Sequence, residues 1–178
     1  CFSLTTLALP SALTEIGQAA FMGCVTLEGP LTIPASVTRI EDQTFEVCYK
    51  LKGINLSEGI TYIGKNAFKS CESITELTIP ASVTHCGNQF IAFERLVDDE
   101  GKKVTYSLEK VTFLGENLPE LGTSIFLHAS RPANDGKQLT IYVKTEAAKA
   151  SMENYLASGN ITSAPADKRP EVKIIVQE

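Results

Sequence analysis

The sequence contains no tryptophan and only two histidines, His85 and His128. Strong protein interfaces usually centre on Trp, Tyr or Arg, so the absence of tryptophan removes one common anchor. The chain also lacks a glycine-rich phosphate loop, a Gly-x-Ser-x-Gly elbow and a His-Glu-x-x-His helix. These absences argue against nucleotide binding, serine hydrolase chemistry and zinc protease chemistry.

Positive charge and long apolar runs are also scarce. The net charge is -5, which argues against nucleic acid and against binding to acidic lipid by charge. No stretch approaches the roughly 20 apolar residues that a membrane helix needs. Apolar residues make up 43% of the 178 residues and charged residues 21%, as in one soluble globular domain.

What the sequence does contain is an internal repeat of 23 or 24 residues. Proline, phenylalanine, cysteine and isoleucine recur in one register, which is the signature of a repeat architecture. The members are Pro10, Pro34 and Pro80; Phe21, Phe45 and Phe68; Cys24, Cys48 and Cys71; and Ile16, Ile40 and Ile63, with Cys86 in the next isoleucine position.

Each repeat opens with Leu-x-x-Leu-x-Leu, whose alternation predicts a half-buried strand. Proline then ends the strand, Gly17, Gly64 and Gly87 suit a turn with positive φ, and Phe-x-x-Cys has the spacing of one helical turn. We expect an α/β repeat, a leucine-rich-repeat solenoid with a parallel β-sheet and short helical turns. Its six strand positions lie around Leu7, Leu31, Ile54, Leu77, Val111 and Leu139.

The regular pattern ends towards the C-terminus, which divides the chain into a solenoid over 1–143 and a C-terminal cap over 144–178. An insertion at about 97–107 reads as a β-hairpin, interpreted either as a tolerated surface loop or as part of a binding face. Thr145 is a plausible N-cap for a helix over about 145–157, and a last strand is expected at about 172–177. A helical cap would shield the last repeat from water.

The start of the chain is interpreted as lying within a repeat. Cys1 to Leu4 matches Cys71 to Ile74, and no signal-peptide pattern is visible. We therefore expect further repeats upstream; the alternative is that Cys1 is a lipoprotein anchor cysteine.

The order Leu-x-x-Leu-x-Leu-Pro-x-Ser-Val-Thr-x-Ile-x-x-x-x-Phe-x-x-Cys resembles the BspA-like, or treponemal-type, leucine-rich repeat. The resemblance covers residues 1 to about 143 and weakens from Glu94 onward. It implies a right-handed solenoid on a bacterial cell surface or in secretions, with roles in adhesion and in binding host proteins. Fold-level resemblance is a weak warrant for function.

The residues capable of chemistry favour a structural interpretation. Cys1, Cys24, Cys48 and Cys71 share one repeat position and are expected to form a reduced, buried ladder, because stacked copies point their Cβ atoms the same way. His85 and Cys86 are strand neighbours that point to opposite sides, which argues against a catalytic pair. His128 is expected to be exposed, and Asp98-Asp99-Glu100 to be a solvated turn rather than a calcium site. We predict no catalytic residues, no metal and no cofactor.

The remaining candidate surface is the open face of the sheet, a small polar strip formed by Thr32, Asn55, Thr78, Thr112 and Thr140. The first hypothesis is a non-catalytic protein-binding or adhesion module, with a host or matrix protein as its partner. The second is a structural spacer or cap that displays upstream repeats. A carbohydrate-binding module is a third hypothesis, weakened because most of the phenylalanines are assigned to the core.

Overall fold

The computed structural model describes residues 1, 3–93, 108–127, 138–159 and 172–177. The expected hairpin at 97–107, the Asp98 turn and His128 lie outside the described residues. The chain winds in successive repeats, each of which we call a coil. Coils are joined side by side by hydrogen bonds between their backbones, as expected for stacked repeats.

One side of the stack carries parallel strands in two neighbouring hydrogen-bonded groups, one of two strands and one of four, which together we call the first sheet. Its strands are β1 (Pro30–Thr32), β3 (Gly53–Asn55), β5 (Glu76–Ile79), β7 (Lys110–Phe113), β9 (Thr140–Val143) and β10 (Lys173–Val176). β1 pairs with β3, β5 pairs with β7, β7 with β9 and β9 with β10, all in parallel. The parallel leucine-rich-repeat sheet predicted from the alternation is therefore confirmed.

The prediction of a strand around Leu7 is wrong, because residues 3–10 form no strand. Two hydrogen bonds join this segment to the next coil before β1 begins: Glu28 N donates to Thr5 O at 2.9 Å, and Thr26 Oγ1 donates to Leu4 O at 3.0 Å. Leu4, Leu7 and Leu9 are partly buried against the core. Their apolar alternation therefore reports burial, while the ladder of hydrogen bonds that defines a strand does not form.

A second sheet, which the sequence did not predict, runs along another side of the stack. Its strands have two residues each: β2 (Arg39–Ile40), β4 (Tyr62–Ile63), β6 (His85–Cys86) and β8 (Glu120–Leu121). They pair in parallel in the order β2-β4-β6-β8. Strands this short leave no readable alternation, so only the repeat spacing marks them.

The prediction that Gly17, Gly64 and Gly87 adopt a positive φ is wrong, because none of the three does so. Non-glycine residues adopt it two positions later, with φ of 54° at Ala19, 60° at Gln43 and 57° at Asn66. Gly64 and Gly87 are instead required by close approach between coils. A Cβ atom added to Gly87 would lie 2.5 Å from Lys65 N of the preceding coil.

Phenylalanine side chains of the first three coils stack on one another inside the repeats. The Phe21 and Phe45 rings lie 5.4 Å apart and the Phe45 and Phe68 rings 5.8 Å apart, both nearly parallel. Phe45, Phe68, Phe90, Phe93, Phe113 and Phe126 are fully buried. The repeat register of phenylalanine is thus a core register, and the buried rings supply much of the apolar area removed from water.

The one helix among the described residues, α1 (Glu146–Ala157), contacts β9 and β10. Its N-cap is Thr145, whose hydroxyl accepts the Ala148 N–H at 3.0 Å. Ala148 and Met152 are buried in the common core. Within the described residues, no helix is both long and apolar enough to cross a membrane.

Candidate functional site

The open face of the first sheet holds three of the five expected site residues in exposed positions. Thr32, Asn55 and Thr78 are exposed, and Asn55 Nδ2 donates to Thr32 Oγ1 at 3.2 Å. Short polar side chains on a flat sheet leave the backbone surface accessible to a partner. We call this exposed surface, together with its continuation on β7 and β9, the open face.

The expected placement of Thr112 and Thr140 needs correction. Thr112 is buried, with only 6% of its surface exposed, because it lies on the central strand β7 between two occupied neighbours. Thr140 does not continue the row of Thr78 and Thr112, since its register partner is Lys110. The partner of Thr112 on β9 is Tyr142, two residues further along.

Tyr142 is the side chain on this face that the sequence analysis missed. Lys110 Nζ lies 5.3 Å from the centre of the Tyr142 ring, and the same ammonium lies 3.5 Å from Glu76 Oε2. Aligning the buried Ile141 with Val111, rather than Leu139, would have placed Tyr142 beside Thr112. The open face therefore carries an aromatic group with a cation near its ring.

The second sheet carries a row of stacked polar side chains, which we call the stacked row: Arg39, Tyr62, His85 and Glu120. The Arg39 guanidinium carbon lies 3.9 Å from the Tyr62 ring centre, and the Tyr62 and His85 rings lie 5.0 Å apart and nearly parallel. His85 Nδ1 lies 3.2 Å from Glu120 Oε2. The register of β2, β4, β6 and β8 places these four residues opposite one another.

Both faces of the Tyr62 ring are covered within the stacked row. Arg39 lies over one face and His85 over the other, so a sugar ring has no open face of Tyr62 on which to stack. Partial burial raises the pKa of the Tyr62 hydroxyl, and the nearby Asp42 carboxylate adds to the rise. Tyr62 is therefore a neutral part of the surface rather than a base.

A shallow pocket of about 280 Å³ opens beside Arg39, at the end of the stacked row nearest the N-terminus. Its lining residues are Thr14, Glu15, Ile16, Thr38, Arg39 and Glu41. Arg39 Nε donates to Glu41 Oε1 at 2.7 Å, which fixes the guanidinium at the pocket wall. The lining mixes hydroxyl, carboxylate and guanidinium groups over one buried isoleucine.

The thiols are placed for packing rather than for nucleophilic chemistry. Cys24, Cys48, Cys71 and Cys86 are buried and unbridged, while Cys1 is exposed. Burial raises the pKa of Cys48 and of Cys86 to about 12 and raises that of Cys71 as well. A nucleophilic thiol needs a lowered pKa, so the raised pKa values of Cys48, Cys71 and Cys86 disfavour a nucleophilic role for these three thiols.

His85 and Cys86 point to different sides of β6. Cys86 is fully buried, whereas His85 is partly exposed and faces Tyr62 and Glu120. A catalytic pair would need the imidazole within hydrogen-bond reach of the thiol, and this geometry does not provide it. In the part of the chain that the structure describes, no three residues of His, Cys, Asp or Glu are grouped to hold a metal ion.

Comparison with solved structures gives two leucine-rich repeat proteins. One, from Bacteroides ovatus, has a TM-score of 0.54 and 18% identity, covering 97% of this chain and 43% of that chain. The other, from Treponema pallidum, has a TM-score of 0.46 and 21% identity, covering 90% of this chain and 87% of that chain. This chain thus spans less than half the length of the B. ovatus protein, and at 18% identity the likeness shows the fold alone.

No curated protein matches the sequence. The family model of the BspA-type leucine-rich repeat region matches in six copies over residues 1–131. That range contains the Leu-x-x-Leu-x-Leu strands, the glycine positions and the buried cysteine ladder described above. The chain belongs to the BspA-type leucine-rich repeat family.

Proposed function

We propose that this chain is a non-catalytic protein-binding module of a bacterial surface or secreted protein, and that it binds a host or matrix protein through its open face. Leucine-rich repeats are generally protein-interaction modules. They suit that role because stacked coils present a row of parallel strands that no single coil could form.

The observation that carries the proposal is the position of Tyr142 on the open face, with the Lys110 ammonium 5.3 Å from its ring centre. Tyrosine is a typical hot-spot residue at interfaces because it combines a large apolar ring with a hydroxyl group. The exposed Thr32, Asn55 and Thr78 extend the same face towards the N-terminus. An aromatic anchor with a flat polar extension is a reasonable protein-docking surface.

The bacterial surface or secreted location is supported by the family, which is associated with bacterial surface proteins. The non-catalytic role is supported by the buried, protonated thiols and by His85, which is engaged in the stacked row. The C-terminal helix α1 fits the expected cap, because it places Ala148 and Met152 against the last described strands. Each of these points supports binding by a rigid scaffold rather than turnover.

The test is a screen of the purified chain against an array of purified host plasma and extracellular matrix proteins, followed by affinity measurement on each partner found. We expect Tyr142→Ala, Asn55→Arg and Thr78→Arg to weaken binding at least tenfold. Thr123→Arg is the matched control, because Thr123 is equally exposed but follows β8 on the second sheet.

Two outcomes would contradict the proposal. Equal affinity of the open-face variants and the wild type, with circular dichroism showing intact folds, would move the binding site to another surface. Failure of the wild type to bind any protein on the array would favour the second hypothesis, a spacer that displays neighbouring repeats.

A further inference from the structure

One repeat position is glycine in four of the first five coils. Gly17, Gly64, Gly87 and Gly122 hold it in their coils, and Glu41 holds it in the second coil. In the later coils a side chain is excluded by the backbone of the preceding coil. A Cβ atom would lie 2.6 Å from Asp42 N at Gly64, 2.5 Å from Lys65 N at Gly87, and 2.4 Å from Asn88 N at Gly122. These separations are well inside van der Waals contact.

Glu41 does carry a Cβ atom, so the second coil cannot approach the first coil as closely at this corner. The hydrogen bonds show the consequence. Each later pair of neighbouring coils is joined here by two backbone hydrogen bonds. Between the second and third coils, for example, Thr61 N donates to Thr38 O and Gly64 N donates to Ile40 O, both at 2.8 Å. Between the described first and second coils, neither equivalent bond forms, and β2 is the edge strand of the second sheet.

We call the space between the first and second coils, where these two hydrogen bonds are missing, the gap. It is confined to the turn around Glu41. Just beyond it the two coils join again, because Ala19 N donates to Asp42 O at 3.0 Å. The pocket of about 280 Å³ beside Arg39 occupies the gap. The pocket therefore lies where a repeat glycine is replaced by glutamate and where the two backbone hydrogen bonds of the later coils are missing.

The gap also interrupts the stacked row. Glu15 holds the position in the first coil that Arg39 holds in the second, and Arg39 continues to Tyr62, His85 and Glu120. Tyr62 covers one face of the Arg39 guanidinium at 3.9 Å, and the pocket lies on the side towards Glu15. A guanidinium attracts aromatic rings by its charge and its plane.

We propose that this pocket receives a tyrosine or tryptophan side chain of a partner protein, inserted between Glu15 and Arg39 as a further member of the stacked row. The ring would stack on the guanidinium, and its hydroxyl or indole N–H would donate to the Glu15 carboxylate or to a threonine hydroxyl. Pockets for drug-sized ligands have volumes of about 300–1,000 Å³, and this pocket lies just below that range, so it has room for a ring side chain. The inference rests on protein binding as the function but uses a second surface, on the second sheet rather than the first.

A cationic side chain fits the pocket less well. Glu41 offers both its oxygens to Arg39, at 2.7 and 3.4 Å, so its charge is already engaged. Only Glu15 remains to attract a cation, and the Arg39 charge in the same wall repels it. An aromatic donor, in contrast, makes use of both the guanidinium and the free carboxylate.

The test needs no partner protein. N-acetyl-tyrosinamide is titrated into the folded chain while NMR follows the Arg39 Nε–Hε signal and the Ile16 methyl groups. We expect saturable ring-current shifts at these two residues with a millimolar dissociation constant. N-acetyl-leucinamide should bind at least tenfold more weakly, because it has no ring to stack.

Three variants test which residues the pocket needs in order to form and to bind the tyrosine amide. Arg39→Gln removes the stacking cation and should weaken binding at least tenfold, whereas Lys52→Gln, on an exposed lysine elsewhere, should leave it unchanged. Glu41→Gly should let the coils close, protect the Glu41-position amide from hydrogen exchange and abolish binding. Thr14→Trp fills the pocket from its own wall and leaves the stacked row intact, so it remains informative if Arg39→Gln does not fold.

The proposal is overturned if the tyrosine and leucine amides shift the pocket signals equally, if N-acetyl-argininamide binds more tightly than the tyrosine amide, or if no saturable shift occurs. Thr78→Arg, on the open face, should bind the tyrosine amide like the wild type. The probe experiment thus separates failure of this pocket from failure of the open face as a protein-binding surface.

Discussion

The thiol of Cys71 donates a hydrogen bond to the backbone carbonyl of Phe45 in the preceding coil, with sulfur and oxygen 3.2 Å apart. Cys48 makes the same bond to Phe21 O, also at 3.2 Å. The repeat cysteine therefore fills a small apolar space and satisfies a carbonyl at the same time. Alanine would leave the carbonyl without this donor.

The burial of this ladder makes a prediction about thiol reactivity. With a pKa of about 12, only about one in ten thousand of the Cys48 and Cys86 thiols is deprotonated to the reactive thiolate at pH 8. We expect a disulfide reagent to modify one thiol, the exposed Cys1, within minutes in the native protein. The other four should react only at the rate at which the chain unfolds.

The control for the thiol experiment is the same titration in denaturant, where all five cysteines should react at once. Cys1→Ser should remove the fast phase and leave the slow phase unchanged. Several fast thiols in the native protein would contradict a buried, reduced ladder.

Gly87 is expected to be far less tolerant of substitution than Gly17, although both occupy the same repeat position. A Cβ atom on Gly87 would lie within 3 Å of the Gly64–Lys65 backbone, whereas on Gly17 it would meet nothing within 4 Å. Overpacking against backbone costs about 1–3 kcal/mol, so Gly87→Ala should destabilise the fold by about 3 kcal/mol. Gly17→Ala should change stability by less than about 0.5 kcal/mol. Urea unfolding of both variants checks the difference, and equal effects would refute close approach as the reason for the glycine.

Lys65 offers a site for stabilisation. Asp42 Oδ1 accepts the Lys65 N–H at 2.8 Å, and Asn88 Oδ1 accepts the Thr123 N–H at 2.8 Å, so this repeat position holds a side-chain acceptor for the next coil. Lysine has no acceptor to offer. Lys65→Asn should therefore add a hydrogen bond to Asn88 N and raise the unfolding free energy by about 0.5–1 kcal/mol.

The matched control for Lys65 is Lys52→Asn, which removes an exposed lysine outside this ladder and should leave the melting temperature within about 1–2 °C of the wild type. An equal rise in both variants would attribute the effect to net charge. No rise in Lys65→Asn would show that the third coil does not follow the geometry of its neighbours.

The core of the solenoid could be predicted from the sequence because burial repeats with the chain. Phe45, Phe68, Cys48 and Cys71 recur in register, and each lies in the core as expected. Apolar residues at fixed spacing have one stable arrangement, a stack in which each coil covers the next. The same argument placed the strands β1, β3, β5 and β7 around their central leucine, isoleucine or valine.

The candidate sites depended on information that the pattern does not carry. Tyr142 was missed because an alternating strand fits its neighbour equally well in two registers two residues apart, and only the three-dimensional pairing of Ile141 with Val111 decides between them. The pocket was missed because Glu41 reads as an ordinary substitution. Its meaning depends on how close the glycines of later coils lie to the preceding backbone, which no single sequence position reveals.

Thr145 links the helix α1 to the last regular part of the solenoid. Its hydroxyl accepts the Ala148 N–H at 3.0 Å as an N-cap and donates to Glu116 O, beyond the end of β7, at 2.8 Å. Thr145→Ala should remove both hydrogen bonds and lower the unfolding free energy by about 1–2 kcal/mol. Thr145→Ser should lower it by only about a few tenths of a kcal/mol, because serine caps equally well. Ser151→Ala, which removes a hydroxyl from the exposed helix surface, is the control and should not change the unfolding free energy measurably.

Hydrogen exchange in the Thr145→Ala variant tests whether the helix and the stacked coils unfold as one unit. Loss of protection in α1 and in β9 together would show that they do, whereas loss confined to α1 would show that the helix opens independently of the stack.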